Sequence, residues 1–496
     1  FFCVLVVVVF LVVRETETNN RQETNKMTGK IVLVMALLAI MVQASTSTKT
    51  TPDYASKDVA QSPPFKVTGL PNLKEAIPFQ QYTGYIVVNT TYERSLFYWF
   101  MESQSNPATD PVVLWLQGGP GCAGSWAIFQ EHGPYRILPN DTVTLNNLSW
   151  NKKANVIYID APAGVGFSYA NTTLGLQNND NETALDNYNF LQGFFQVFPQ
   201  FQSNPLWITG ESYGGVYVPT LVNNIIDGPN QQLKNALKGF MVGNPVLSCP
   251  DVQKHGLSVQ LNLYYNHALV PFSNYRKWYS SGCNDNELHP ACAEMFQSFV
   301  AAIGPLDKDD LYTNWCVGNG TLDAMESVPN CYSLGQRTEH YLNNPLVQQA
   351  INAFPQPKKW YFCTPHLPGL LSYNMSGMDI LPFYTKFFNV APHLRIMIYS
   401  GDADIADVPH AKTQLCLSYL NRTMIEPWRR WTVQGHKIPA FIPQSQEKSQ
   451  VTAGYVEVYD SYTYATVKGA GHMVPMYQPF MAYNLFDRFI VQGITP

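Results

Sequence analysis

Charge is scarce in this sequence. Only 14% of the 496 residues are Asp, Glu, Lys or Arg, against about a quarter in an average soluble domain, and there is no basic block. With a net charge of −5, nucleic acid or an anionic membrane is excluded as the main partner. Other absences narrow the field. No cysteines have the paired close spacing of a zinc site, no Gly run leads into the Lys-Ser/Thr of a phosphate loop, and the one Gly run that invites a nucleotide reading does not fit G-x-G-x-x-G. No metal and no organic cofactor are therefore expected. The apolar run near the amino terminus falls short of the about 20 residues that span a bilayer, so no membrane anchor is expected. Internal repeats and low-complexity linkers are missing too.

Core-forming residues are abundant. Hydrophobic residues make up 46% of the chain and aromatics 13%, which excludes disorder and requires a large core. The length suits two to four domain-sized units or one enlarged enzyme domain.

Met27, Lys30, the apolar run Ile31 to Val42 and the small-residue site Val42-Gln43-Ala44 have the three parts of a secretory signal peptide over 27–44, cleaved after Ala44. Residues 1–26 begin without Met and are read as non-native sequence upstream of the true start. Export predicts oxidised cysteines. Beyond the leader there are eight: Cys122, Cys249, Cys283, Cys292, Cys316, Cys331, Cys363 and Cys416, an even number that allows about 105 pairings. N-x-S/T triplets at Asn89, Asn140, Asn147, Asn171, Asn181, Asn319, Asn374 and Asn421 are expected to be surface glycosylation sites.

Short apolar runs end repeatedly in Gly-rich turns: Pro111 to Leu116, Ala154 to Ile159, Leu206 to Thr209, Leu237 to Val242, Leu394 to Tyr399 and Tyr462 to Val467. Helical patterns such as Ala184 to Phe198 lie between them. This alternation predicts a buried, mostly parallel sheet flanked by helices. The pattern stops over 248–342, where four cysteines gather, and that stretch is read as a cap inserted between core segments 65–247 and 343–496. Residues 45–64 form an N-terminal extension.

Gly210-Glu211-Ser212-Tyr213-Gly214 fits G-x-S-x-G between a strand and the helical run Val216 to Ile226. A sharp strand-to-helix turn of this kind lifts the serine out of the sheet as a nucleophile. The hydroxyl needs a base, and the base an orienting carboxylate, in the chain order Ser, Asp or Glu, His. Gly401-Asp402-Ala403-Asp404 and Gly469-Ala470-Gly471-His472 follow later strands in that order. The N–H of Tyr213 is one oxyanion donor, and the loop Gln117 to Cys122 is the candidate source of the second.

Trp115-Leu116-Gln117-Gly118-Gly119-Pro120-Gly121-Cys122, Glu131-His132-Gly133-Pro134, Asp160 to Tyr169, Gly210 to Gly215, Gly401 to Asp404 and Gly469 to Pro475 together resemble the serine carboxypeptidases. The match runs in order from Phe65 to Val491. The resemblance implies an α/β-hydrolase fold with a disulfide-containing cap, and removal of single residues from peptide or protein C-termini. It makes Ser212 the nucleophile, His472 the base and acid, and Asp404 the orienting carboxylate, with Asp402 the nearby alternative. Gly119 and Tyr213 would form the oxyanion hole, and Gln117, Gly118, Glu131 and Glu211 would read the substrate's terminal carboxylate. Two glutamates beside a carboxylate require at least one proton among them, which favours acid pH. Disulfides Cys122–Cys363, Cys316–Cys331 and Cys283–Cys292 are implied as well, leaving Cys249 with Cys416.

Two positions depart from the family. Gln117 stands where Asn is usual, and Asp407 where several relatives have Cys; a carboxylate there would favour basic or disfavour acidic C-terminal residues. The expected location is the secretory pathway, lysosomal or extracellular, with a homodimer allowed. An acyltransferase on the same scaffold, and a binding or protective glycoprotein, are the alternative functions.

Overall fold

The computed structural model describes residues 61–138, 141–304, 306–313, 334–353, 359–377, 379–434 and 450–496. The expected leader and signal peptide, most of the N-terminal extension, Asn140, Asn319 and the Cys316–Cys331 pair lie outside the described residues.

A twelve-stranded sheet organises the chain. Its strands are β1 (Phe65–Lys66), β2 (Gln81–Asn89), β3 (Arg94–Met101), β4 (Val112–Leu116), β5 (Asn155–Ile159), β6 (Tyr169–Ala170), β7 (Leu206–Glu211), β8 (Leu237–Gly243), β9 (Arg395–Gly401), β10 (Met424–Gln434), β11 (Gln450–Tyr459) and β12 (Thr463–Val467). They lie in the order β1-β2-β3-β5-β4-β7-β8-β9-β12-β11-β10, with β6 paired to β3. The six central strands from β5 to β12 are mutually parallel. Every residue of β4, β5, β7 and β12 is buried. Helices such as α1 (Asp180–Val197) and α2 (Gly214–Asp227) flank the sheet, which is why these strands read as unbroken apolar runs.

Antiparallel ribbons extend both sides of this centre: β1-β2-β3 on one side, and β11-β10 beyond β12 on the other. The fold is thus an α/β hydrolase whose sheet is mixed, parallel only at the centre. In the long β2–β3 hairpin β2 alternates between buried and half-buried residues while β3 is buried throughout, so no single burial period marks it.

Between β8 and β9 the chain forms α3 (Pro250–Asn266), α4 (Phe272–Ser280) and α5 (Pro290–Ile303). Leu261, Trp278, Phe296 and Phe299 make a separate apolar cluster there, which Ile405 joins from the loop after β9. The helix Leu334–Leu342 behaves differently, because its Tyr341 and Leu342 pack into the main core. Cys283–Cys292 staples the α4–α5 connection, and Cys249–Cys416 ties the start of α3 to the helix His410–Ser418.

Cys122–Cys363 joins segments 241 residues apart. Backbone bonds flank it, Ala123 N–H to Phe362 O at 2.7 Å and Thr364 N–H to Gly121 O at 2.9 Å. Among the glycosylation candidates, Asn147, Asn171, Asn181, Asn374 and Asn421 are exposed and Asn89 is half-buried. Replacing both Cys122 and Cys363 by Ser is expected to lower the unfolding free energy by about 2–4 kcal/mol, read from urea unfolding. An unchanged midpoint would mean that the flanking backbone bonds hold the loop unaided.

Candidate active site

The candidate residues converge because parallel strands present their C-terminal ends to one edge, where α/β folds place ligands. Gln117 follows β4, Ser212 follows β7, Asn244 follows β8, Asp404 follows β9 and His472 follows β12.

At Ser212 the chain leaves β7 with φ = 59°, a left-handed conformation that disfavours a side chain. Three backbone bonds hold it there. Ser212 N–H donates to Gly243 O at 3.0 Å, and Ser212 O accepts from Gly215 N–H at 2.9 Å and Val246 N–H at 2.8 Å. The turn also depends on its glycines. A Cβ on Gly210 would come within 2.6 Å of Leu116 O, and one on Gly215 within 2.5 Å of Val246 O.

The loop after β4 lies directly against this turn. A Cβ on Gly118 would sit 2.5 Å from Ser212 Cβ and 2.7 Å from Tyr213 N. Gly119, at φ = 112°, lets the chain double back toward Cys122. The backbone of Gly118–Gly119 and the peptide of Tyr213 therefore line one side of Ser212.

Asp404 is fully buried and accepts four donors. His472 Nδ1–H reaches Oδ2 at 2.6 Å, Asn244 Nδ2 reaches it at 2.9 Å, and the N–H groups of Asp407 and Val408 bind the carboxylate at 3.1 Å each. Asp402 faces elsewhere and accepts the Gly469 N–H at 2.6 Å, so Asp404 is the carboxylate on the imidazole. The bond at Nδ1 fixes the tautomer that leaves Nε2 free to accept a proton. Burial pulls the His472 pKa down, but the charges of Asp404, then Asp309 and Asp407, outweigh it and raise the pKa to about 9.

Glu131 and Glu211 are both buried, and their carboxyls lie close enough to shift each other's pKa, which favours a proton on one of them. Burial pushes Glu131 up to about 7, with Glu211 and Gln117 pulling it back only in part. Glu211 lies well above the usual carboxyl range, through burial and the charge of Glu131. Trp115 Nε1–H donates to Gln117 Oε1 at 2.7 Å, which turns the amide nitrogen toward Glu211 Oε1 at 2.6 Å. The longer side chain at position 117 thus still meets the glutamate pair. His472 is within electrostatic reach of Glu131.

Two contributors escaped the sequence reading. Asn244 links the loops, since its Oδ1 accepts Gly401 N–H at 2.9 Å while its Nδ2 holds Asp404; its place directly after β8 was an available signal. Asp309, in the chain following α5, had none. Its carbonyl accepts the His472 N–H at 2.6 Å, and its carboxyl lies near that of the exposed Asp407. Burial and Asp407 raise the Asp309 pKa to about 8. Among the described residues no group of three or more His, Cys, Asp or Glu is arranged to hold a metal ion.

Comparison with known proteins agrees with this geometry. Residues 71–492 match the family described as serine carboxypeptidase. Serine carboxypeptidase-like 36 of Arabidopsis thaliana is 32% identical over 455 residues, covering 88% of this chain and 87% of its own. Serine carboxypeptidase 24 of the same plant is 33% identical over 499 residues, covering 94% and 98%. The crystal structure of Kex1(delta)p, a prohormone-processing carboxypeptidase from Saccharomyces cerevisiae, superposes with a TM-score of 0.65 at 20% identity over 85% of this chain and 95% of that one, a likeness of fold. With its strand ends, serine turn and buried imidazole–carboxylate pair in place, the chain belongs to the serine carboxypeptidase family.

Proposed function

We propose that Ser212, His472 and Asp404 form the triad of an acid-favoured carboxypeptidase that releases one residue at a time from peptide C-termini. The observation that carries this reading is the buried Glu131–Glu211 carboxyl pair, with Gln117 Nε2–H donating to Glu211 next to Ser212. A buried acid that retains a proton can donate to a substrate carboxylate, whereas two carboxylates would repel it. This requirement separates an exopeptidase from an endopeptidase. It also weighs against the acyltransferase alternative, which has no need to read a free carboxylate.

In the proposed cycle, Ser212 Oγ attacks the last peptide carbonyl while its proton passes to His472 Nε2. The N–H groups of Gly119 and Tyr213 stabilise the oxyanion. Asp404 stabilises the imidazolium, which then protonates the leaving amine, and water hydrolyses the acyl-enzyme by the same steps. The pH dependence has two opposed origins. With its pKa raised to about 7, Glu131 is neutral below that value and becomes a carboxylate that repels the substrate's as pH rises through it, while Glu211 keeps its proton to higher pH. His472 must be neutral to accept the Ser212 proton, so its raised pKa acts against activity on the acid side. Protonation of neighbouring Asp309 removes one of the charges that hold that pKa up.

Asp309 and Asp407 both lie within electrostatic reach of His472 and would present negative charge near the leaving residue. This supports a preference for Lys or Arg over Asp or Glu at the substrate C-terminus. The disulfides suit the oxidising secretory route, and among the described residues no helix is long and apolar enough to cross a membrane.

The primary test is release of single residues from N-blocked dipeptides by wild type and Ser212→Ala, beside C-terminally amidated substrates. Hydrolysis is expected to need both Ser212 and the free carboxylate; equal cleavage of amidated peptides would defeat the reading. Glu211→Gln and Glu131→Gln are each expected to keep more of their acid-pH kcat/KM at pH 8, where a group titrating near 7 leaves wild type with about a tenth. A profile identical to wild type in both variants would remove the glutamate pair from carboxylate recognition. Asp407→Asn should reduce any preference for C-terminal Lys over Glu by several-fold, measured as a ratio of kcat/KM values, and an unaltered ratio would dismiss Asp407 from specificity.

A further inference from the structure

Asp180 begins helix α1 and is 1% exposed, yet its carboxylate engages groups far away in sequence. Oδ1 accepts the Tyr213 hydroxyl at 2.8 Å and the Tyr373 hydroxyl at 2.9 Å. Oδ2 accepts the Ser376 N–H at 2.8 Å and the Ser376 hydroxyl. Four donors compensate the burial of this carboxyl group. They also clamp three segments together: the first turn of α1, the turn after Ser212, and the stretch from Tyr373 to Ser376.

Tyr213 supplies the peptide N–H next to Ser212, and its side chain is otherwise held only by packing. Its ring is buried, with Tyr217 at 5.3 Å and Tyr373 at 6.0 Å between centroids, both edge-on. Contacts of this kind restrain ring tilt weakly, whereas a hydroxyl bonded at the far end of a rigid ring fixes the ring's axis. The peptide plane of Tyr213 is thereby held at both ends, by the strained Ser212 turn and by Asp180. Oxyanion stabilisation demands a donor aimed at the position where charge develops, and a small rotation of that donor is costly in rate.

We infer that Asp180 is a positioning residue for the oxyanion hole, acting through the Tyr213 hydroxyl to hold the Tyr213 N–H in line. The inference rests on the assignment of Ser212 as nucleophile. Binding of the ground-state peptide, whose carboxylate is read elsewhere, should be little affected, so the effect falls on kcat.

Tyr213→Phe removes the anchoring hydroxyl while keeping the ring and the peptide N–H. Asp180→Asn keeps the shape but sets an NH2 group against donors. Each variant is assayed for kcat and KM on N-blocked dipeptides, and for the rate at which a fluorophosphonate modifies Ser212. In that reaction the Ser212 Oγ–P bond forms, the P–F bond breaks, fluoride leaves and the hydroxyl proton passes to His472, with the phosphoryl oxygen in the oxyanion hole. Both variants are expected to lose about ten- to a hundredfold in kcat and a similar factor in phosphonylation rate, with KM within about twofold. The double variant should be no slower than Asp180→Asn alone, because both changes remove one bond. Wild-type kcat and phosphonylation rates in Tyr213→Phe, or a lowered Tm with unchanged kcat in Asp180→Asn, would reduce Asp180 to a purely structural role. If Asp180→Asn does not fold, Tyr213→Phe decides alone. Should wild type cleave no peptide, the carboxypeptidase reading fails, and the phosphonylation rates still judge this inference.

Discussion

The turn Gly243–Val246 at the end of β8 is the constraint on which the site depends. Ser212 pays a conformational penalty at φ = 59°, and two of the three backbone bonds that hold it end on this turn, at Gly243 O and Val246 N–H. Asn244 in the same turn grips Asp404 with one side-chain atom and Gly401 N–H with the other. The backbone of Ser212 and the carboxyl that holds the His472 imidazole are thus referenced to one four-residue segment. Parallel order makes this economical, since β8 lies between β7 and β9 and its end can touch both neighbouring loops.

The site also sorts its carboxyl groups by what surrounds them. Asp404 is buried among N–H donors that meet both of its oxygens. Glu131 and Glu211 are equally buried but face each other, so burial and like charge favour retention of a proton. Asp309, near the more exposed Asp407, is likewise raised by burial and a neighbouring carboxyl. Identical functional groups are therefore held in two settings, one ringed by N–H donors against an imidazole and one set against a second carboxyl. What separates them is the supply of donors.

Much of this was legible in the sequence because the central strands are buried on both faces and end in glycines that the site requires. The apolar runs marked β4, β5, β7, β8, β9 and β12 to within a residue or two of their ends, and every run but that of β8 led to a motif. The antiparallel ribbons were not legible: the half-exposed β10 and β11 pair with strands next to them in the chain, but their burial follows no regular period of two. Asn244 could have been found by extending the strand-end rule to β8. Asp180 and Asp309 could not, since an aspartate opening a helix or following one is ordinary until tertiary contacts bring Tyr213 or His472 against it.

Gln117 illustrates how a longer side chain can be absorbed while its contact with a neighbouring carboxyl is kept. An added methylene moves an amide by more than an ångström, enough to misalign a hydrogen bond. Trp115, two residues earlier on the same face of β4, takes up the carbonyl end and orients the remaining NH2 toward Glu211. A strand repeats its facing every second residue, so the indole and the amide are neighbours by construction. The substitution changes the reach of the side chain, and the indole N–H, by holding the amide oxygen, decides in which direction that extra reach is used.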